Sequence, residues 1–183
     1  MRWFDAGKVG QVEIDDGPFL GNPLGALMTL IYGEIVPSIK ELAAGREGDL
    51  HAIGRGIVGM ADPAFADFLA AEAQGEALRS AFAGFFGQYD VLLTPVNPMT
   101  ATPHGAQELT LGGVTVPWTH VMAATSPFNL TGLPALSVPY AFSSEQLLIG
   151  IQLVGKWLDE ATLLRVGAML ERKGGLGDRH PTF

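Results

Sequence analysis

Acyl-transfer chemistry requires a nucleophile, a base to activate it and donors for the developing oxyanion, so serine, lysine and histidine are the residues to follow. The serines stand at 38, 80, 126, 137, 143 and 144, and none lies in a G-x-S-x-G or S-x-x-K pattern. Ser143-Ser144 falls between two apolar runs and reads as a strand turn. Lys40, Lys156 and the other lysines have no serine in a suitable glycine-rich setting. The histidines at 51, 104, 120 and 180 form no i, i+4 pair and no H-E-x-x-H, so no metal site is expected. His104 and His120 sit in a loop-rich stretch where they could line a pocket, but packed or surface histidines are the simpler reading.

Two further motifs carry weak signals. Gly54-Arg-Gly56-Ile-Val-Gly59 has the G-x-G-x-x-G spacing that cradles a pyrophosphate between a strand and a helix N-terminus. The preceding Asp49–Ile53 is a poor strand and the next helix signal comes only at Asp62-Pro63, so a glycine-rich helix or turn is expected and no cofactor. Asn129-Leu130-Thr131 is formally a glycosylation sequon, but nothing near Met1 has the apolar stretch and cleavage site of a secretory leader.

Composition narrows the class. The 183 residues hold 11 Lys+Arg, 19 Asp+Glu and no cysteine, for a net charge of −8. That balance disfavours a phosphate-backbone binder, and the missing cysteines exclude disulfides, cysteine-ligated zinc and a thiol nucleophile. Charged residues are 16% of the chain, against about 25% in ordinary domains. The 24 glycines and 12 prolines are about a fifth of it, short of a low-complexity composition. A mean hydropathy of +0.26 with so little charge suggests that part of this surface meets another chain or the rest of a larger domain. No window supplies the roughly 20 apolar residues of a membrane span, and a cytoplasmic protein is expected.

The elements that would position any site follow from pattern. Val9–Ile14 reads as a strand. Asn22-Pro23 reads as an N-cap with proline at the first helical position, and Leu24, Leu27, Met28, Ile31 and Ile35 recur as a buried helical face. Pro37 should break this helix and Gly45 end the next. Asp62-Pro63 repeats the cap-then-proline signature ahead of a long helix to about Gly87, on which Phe65, Phe68, Leu69, Leu78, Phe82 and Phe85 follow. Tyr89–Pro95 reads as a buried strand and 95–117 mostly as loop. Ala135–Val138 and Leu147–Val154 read as strands joined by Ser143–Gln146, and Asp159 as the cap of a last helix burying Leu163, Val166 and Leu170.

Three stretches together resemble the amidase signature family: Tyr89-Asp-Val-Leu-Leu-Thr-Pro95, Ser126-Pro-Phe-Asn-Leu-Thr-Gly-Leu-Pro-Ala-Leu-Ser-Val-Pro139, and Ile149-Gly-Ile-Gln-Leu-Val-Gly155 running into Asp159–Arg165. The second is the most specific, and the terminal Arg179-His180-Pro181 also fits. The resemblance implies an α/β fold, with strands of a mixed sheet packed between helices, and hydrolysis or transfer of amide groups by a Ser–Ser–Lys triad. It places this chain in the C-terminal portion of that fold, with no internal boundary over 1–183, whereas the triad belongs to the N-terminal part. Nothing here matches Gly-Gly-Ser-Ser-Gly-Gly, so no catalytic residue is assigned, and Met1 is expected to fall inside a family element.

By the same resemblance, this portion completes the sheet and supplies one wall of the substrate pocket. The candidate substrate-binding residues are Thr94, Asn97 and Met99 at the strand end, and Trp118 in Val116-Pro-Trp-Thr119. Trp118 is either a flat apolar contact or a buried anchor for its loop. Pro95, Phe128, Asn129, Thr131, Gly132 and Pro134 read as structural. The expected partners are an N-terminal amidase part in trans or a second copy of this chain, and a small amide substrate once complemented, with no nucleic acid and no membrane. The alternatives are a non-catalytic binding or regulatory module and a truncated gene product.

Overall fold

The computed structural model describes residues 17–174 and Leu176; the strand expected at Val9–Ile14 and the Arg179-His180-Pro181 signature lie outside the described residues. The architecture is α/β. Helices α1 (Pro23–Glu34), α2 (Val36–Ala43), α3 (Ala52–Val58) and α4 (Phe65–Phe85) lead into strand β1 (Val91–Pro95). A small hairpin of β2 (Glu108–Leu111) and β3 (Val114–Pro117), a 3-10 helix (Trp118–Met122) and the short α5 (Ser126–Thr131) follow. The chain then forms β4 (Ala135–Phe142), β5 (Leu148–Gly155) and α6 (Glu160–Gly174).

β1, β5 and β4 form an antiparallel sheet in that order, so β5 is central. Period-two alternation sends its side chains to opposite faces. Val154 joins Leu92 on one face, in a core with Ala71, Leu78, Phe82 and Phe86 from α4 and its C-cap, and Phe128 and Leu130 from α5. Leu153 and Ile151 point the other way, onto Val138, Leu136 and the α6 residues Leu163, Val166 and Leu170. Helices thus cover both faces. The fully buried Phe82 ring meets three others, with centroids 5.6 Å from Phe19, 5.6 Å from Phe128 and 6.1 Å from Phe86.

Local signals account for most element ends. The Asn22 side chain accepts from Gly25 N at 3.1 Å, with Pro23 opening α1 as expected. Pro37 stands in the first turn of α2, and Gly45 follows that helix with φ +74°. The break at Gly112-Gly113, both with positive φ, turns β2 into β3. Here the expected loop contains a hairpin: Leu109, Leu111, Val114 and Val116 alternate around a Gly-Gly turn, and Leu109 is buried.

Three expectations change. The α1 stripe of Leu24, Leu27, Met28 and Ile31 is only half-buried, Ile35 is exposed, and Ala26 is the buried contact. The reason is close packing of α1 on α4, where a Cβ on Gly33 would lie 2.6 Å from the Phe68 ring. Asp62 does not cap α4; residues 62–64 lie outside the helix, Ala64 is extended, the helix starts at Phe65, and Asp62 instead pairs with Lys40 at 2.7 Å. Phe65 and Leu69 face outward, and the inward stripe runs through Ala71, Gly75, Leu78 and Phe82. β1 is an edge strand in which Leu92 is buried and Leu93 exposed, not a strand buried throughout.

Core and surface phenylalanines on the one helix α4 should therefore separate cleanly. Phe82→Ala is expected to cost about 3–5 kcal/mol of unfolding free energy, and Phe65→Ala at most about 0.5 kcal/mol, both measured by urea denaturation.

Candidate functional site

On the face covered by α4 and α5, the sheet is apolar at one end and polar at the other. Leu92 pairs with Val154, and two residues along each strand Thr94 pairs with Gln152, which in turn faces Ser137 across β4. Thr94, Gln152 and Ser137 thus form one polar row across three strands. Gln152 is 4% exposed, and a buried carboxamide requires partners. Its Nε2 donates to Thr94 Oγ1 at 3.0 Å and to the carbonyl of Ala124 at 3.1 Å.

The Ala124 carbonyl belongs to a segment held largely by side chains. The side-chain amide of Asn97, just beyond β1, faces two carbonyls, which assigns the nitrogen to that side; so oriented, it donates to Val121 O at 3.1 Å and Val96 O at 3.2 Å. Ser126 Oγ donates to Met122 O at 2.7 Å, and Thr125 Oγ1 donates to the same carbonyl at 3.2 Å. Trp118 opens this segment, its backbone N–H donating to Gln107 O at 3.0 Å while its side chain is 43% exposed. Nδ1 of His120, on the same turn, is the one buried side-chain polar atom without a partner among the described residues.

The structure therefore ties three of the four candidate residues to one segment. Thr94 reaches the 118–126 segment through Gln152, Asn97 reaches it directly, and Trp118 starts it. Met99 lies half-buried two residues past Asn97, and no described contact ties it to the others. Sequence reasoning misses Gln152, although it is the lone polar side chain in Ile149–Gly155. Thr94, Asn97, Gln152 and Trp118 carry no charge, and they suit hydrogen bonding and apolar contact rather than proton transfer. Ser126 is fully buried and bonded to a carbonyl, while Lys40 and Lys156 are paired with Asp62 and Asp90. Among the described residues no serine–lysine hydrogen bond is present, and no three His, Cys, Asp or Glu residues gather for a metal.

A cleft of about 310 Å³ lies at the opposite, apolar end of the sheet, bordered by Arg79, Phe86, Thr131, Lys156 and Trp157. Its charges already have partners. Arg79 bonds Glu76 and donates to the carbonyls of Leu130 at 3.0 Å and Thr131 at 3.3 Å, closing the C-terminus of α5, and Lys156 holds Asp90 at 3.2 Å. Gly54-x-Gly56 lies inside α3, a helix that no described strand precedes, so the pyrophosphate cradle is not formed.

A three-stranded antiparallel sheet between α4–α5 and α6, with a polar row at one end, thus frames the candidate site. The amidase family model matches residues 36–164, and the chain belongs to that family. Over 117 residues it is 38% identical to the fatty acid amide hydrolase of Medicago truncatula, covering 63% of this chain and 19% of that protein. Over 107 residues it is 41% identical to a glutamyl-tRNA(Gln) amidotransferase subunit from Brevibacillus brevis, covering 56% of this chain and 20% of that one. Among solved structures, an amidase superposes with a TM-score of 0.73 at 25% identity, over 85% of this chain and 37% of its own. The fold of a 6-aminohexanoate cyclic dimer hydrolase superposes with a TM-score of 0.76 at 24% identity, over 96% of this chain and 40% of its own. The matched stretch thus spans about a fifth of the length of the curated relatives. Among the described residues, no helix is long and apolar enough to cross a membrane.

The side-chain hold on residues 118–126 has a direct test. Asn97→Asp replaces a donor by a carboxylate facing two carbonyls and is expected to cost about 1–3 kcal/mol, with faster amide exchange concentrated in 118–125. His120→Phe removes the orphaned Nδ1 and is expected to leave the urea midpoint unchanged or raise it.

Proposed function

We propose that this chain acts as the C-terminal part of an amidase-type hydrolase of carbon–nitrogen (amide) bonds. In that role it completes the sheet and forms one wall of the substrate pocket. Alone it is inactive, because the Ser–Ser–Lys chemistry comes from an N-terminal amidase part. The observation that carries this is the family match over 36–164, which contains no nucleophile–base pair, together with its small share of each relative. The open edges of β1 and β4 support it: each has one side unpaired by any described strand, and such edges template further pairing.

The wall consists of Thr94, Asn97 and Trp118, with Met99 beyond them. An amide substrate presents a carbonyl acceptor and an N–H donor, and these side chains offer a hydroxyl and the open face of an indole. A small amide is the substrate class, the cytoplasm the compartment, and the N-terminal part in trans the partner, with self-association the fate of the chain on its own. Neither nucleic acid nor membrane enters the reading.

Complementation tests it. The purified chain should release no ammonia or amine from a panel of aliphatic and aryl amides. Co-expression with the N-terminal part of an amidase, encoded upstream or taken from the relatives above, should restore release. Failure with every such part would sink the split-enzyme reading. In the complemented enzyme, Trp118→Ala is expected to raise KM several-fold with a smaller effect on kcat, since the indole contacts substrate and transition state alike. In sedimentation, the chain alone should associate; a clean, stable monomer would count against the open-edge argument.

A further inference from the structure

Gln152 is a buried side chain whose partners lie on two different elements. One is Thr94 on the neighbouring strand, the other the carbonyl of Ala124 in the segment that begins at Trp118. The Ala124 oxygen can only accept, so the amide nitrogen must face it, and a carboxamide nitrogen has two hydrogens. The second goes to Thr94 Oγ1. Both donors are then used, and each is needed, because a donor left unpaired at 4% exposure is costly. Because Thr94 Oγ1 accepts from Gln152, its own O–H is left to donate, and no described residue accepts it.

We infer that Gln152 is a positioning residue: its single nitrogen fixes the 118–125 segment against the polar end of the sheet and turns the Thr94 hydroxyl outward as a donor to a ligand oxygen. The ligand chemistry this selects is an acceptor oxygen, such as an amide carbonyl, lying between Thr94 and the Trp118 turn. Asn97 is the second tether, on Val121. Gln152 and Asn97 reach the segment from β5 and from the end of β1, so two strands anchor it, at Ala124 and at Val121. The functional half of this inference rests on the pocket-wall reading above; the tether itself does not.

Two arms separate them. In the chain alone, amide hydrogen exchange is followed by mass spectrometry in wild type, Gln152→Leu and Gln152→Glu. Exchange over 118–125 should rise about tenfold in both variants, while α4 and α6 stay protected. Gln152→Glu is the same shape without donors, so an unchanged segment in that variant, or an increase spread evenly over α4 and α6, overturns the tether. Should Gln152→Leu fail to fold, Thr94→Val still removes one acceptor and is expected to give a smaller increase confined to 118–125. In the complemented enzyme, Gln152→Leu and Thr94→Val should each raise KM about tenfold with little change in kcat, and the double variant should be no worse than either single one. Thr94→Ser, which keeps the hydroxyl, should restore wild-type KM. Multiplying effects in the double variant, or no rescue by serine, would overturn the role of Thr94 as the oriented donor. If complementation fails but exchange responds as described, the tether stands and the pocket-wall reading falls.

Discussion

The central position of β5 is the constraint on which the rest of this structure depends. It is hydrogen-bonded on both sides, by β1 and by β4, and its side chains alternate between two helical layers. Leu153 and Ile151 serve α6, while Val154 serves α4 and α5. A slip of one residue would drive Gln152 into the α6 core and Leu153 into the polar row, so the register is strongly specified. The cross-strand pairs Leu92–Val154 and Thr94–Gln152 follow from that single choice of register.

The same alternation divides one face of the sheet along its length. At the Leu92–Val154 end, aromatic packing around Phe82 excludes water, and α5 lies against α4. The Ser126–Gly132 motif is part of that packing. Phe128 and Leu130 are buried, Thr131 Oγ1 donates to Pro127 O at 2.8 Å, and Gly132 closes the helix at φ +72°. At the other end the helical cover gives way to a segment whose carbonyls accept both from its own turns and from the side chains of Asn97, Ser126, Thr125 and Gln152. A short 3-10 helix and turn tied down by side chains can be placed accurately outside the sheet and long helices, which suits a binding surface.

Membership of the amidase family and the small share of each relative that is matched give this geometry its context. Among the described residues β1 and β4 each have one side unpaired, and such edges are surfaces on which further strands can pair. The low charge of the chain and the exposed side chains of Leu42, Phe65 and Leu158 fit a protein that meets other surfaces. The polar row stands at the end of the sheet away from the Arg79–Lys156 cleft, whose charged groups are engaged in closing α5 and pairing with Asp90.

Much of this is legible in the residues. Asn22-Pro23, Pro37 and Gly45 punctuate the helices through backbone geometry that acts locally, and Leu147–Val154 announces a strand through its apolar run. The three motifs point to the family without any coordinates. The Gly112-Gly113 hairpin is readable in principle, from alternation around a two-residue turn, but the prolines around it obscure the signal. Long-range packing lies beyond local pattern. Which phenylalanines of α4 turn inward depends on where α1 and α5 dock, so Phe82 is buried and Phe65 is not, although both sit in one apolar helix. Asp62 has the sequence of a cap, yet Lys40, 22 residues away, holds it elsewhere. The candidate site divides the same way. From the sequence alone, the family resemblance points to Thr94, Asn97, Met99 and Trp118 as candidate pocket residues, because motif and spacing are local properties. Only the tertiary structure decided that Thr94 is joined to the segment that Trp118 opens, because the bonds from Gln152 to Thr94, 58 residues away, and to Ala124, 28 residues away, exist only once the register of β5 is set.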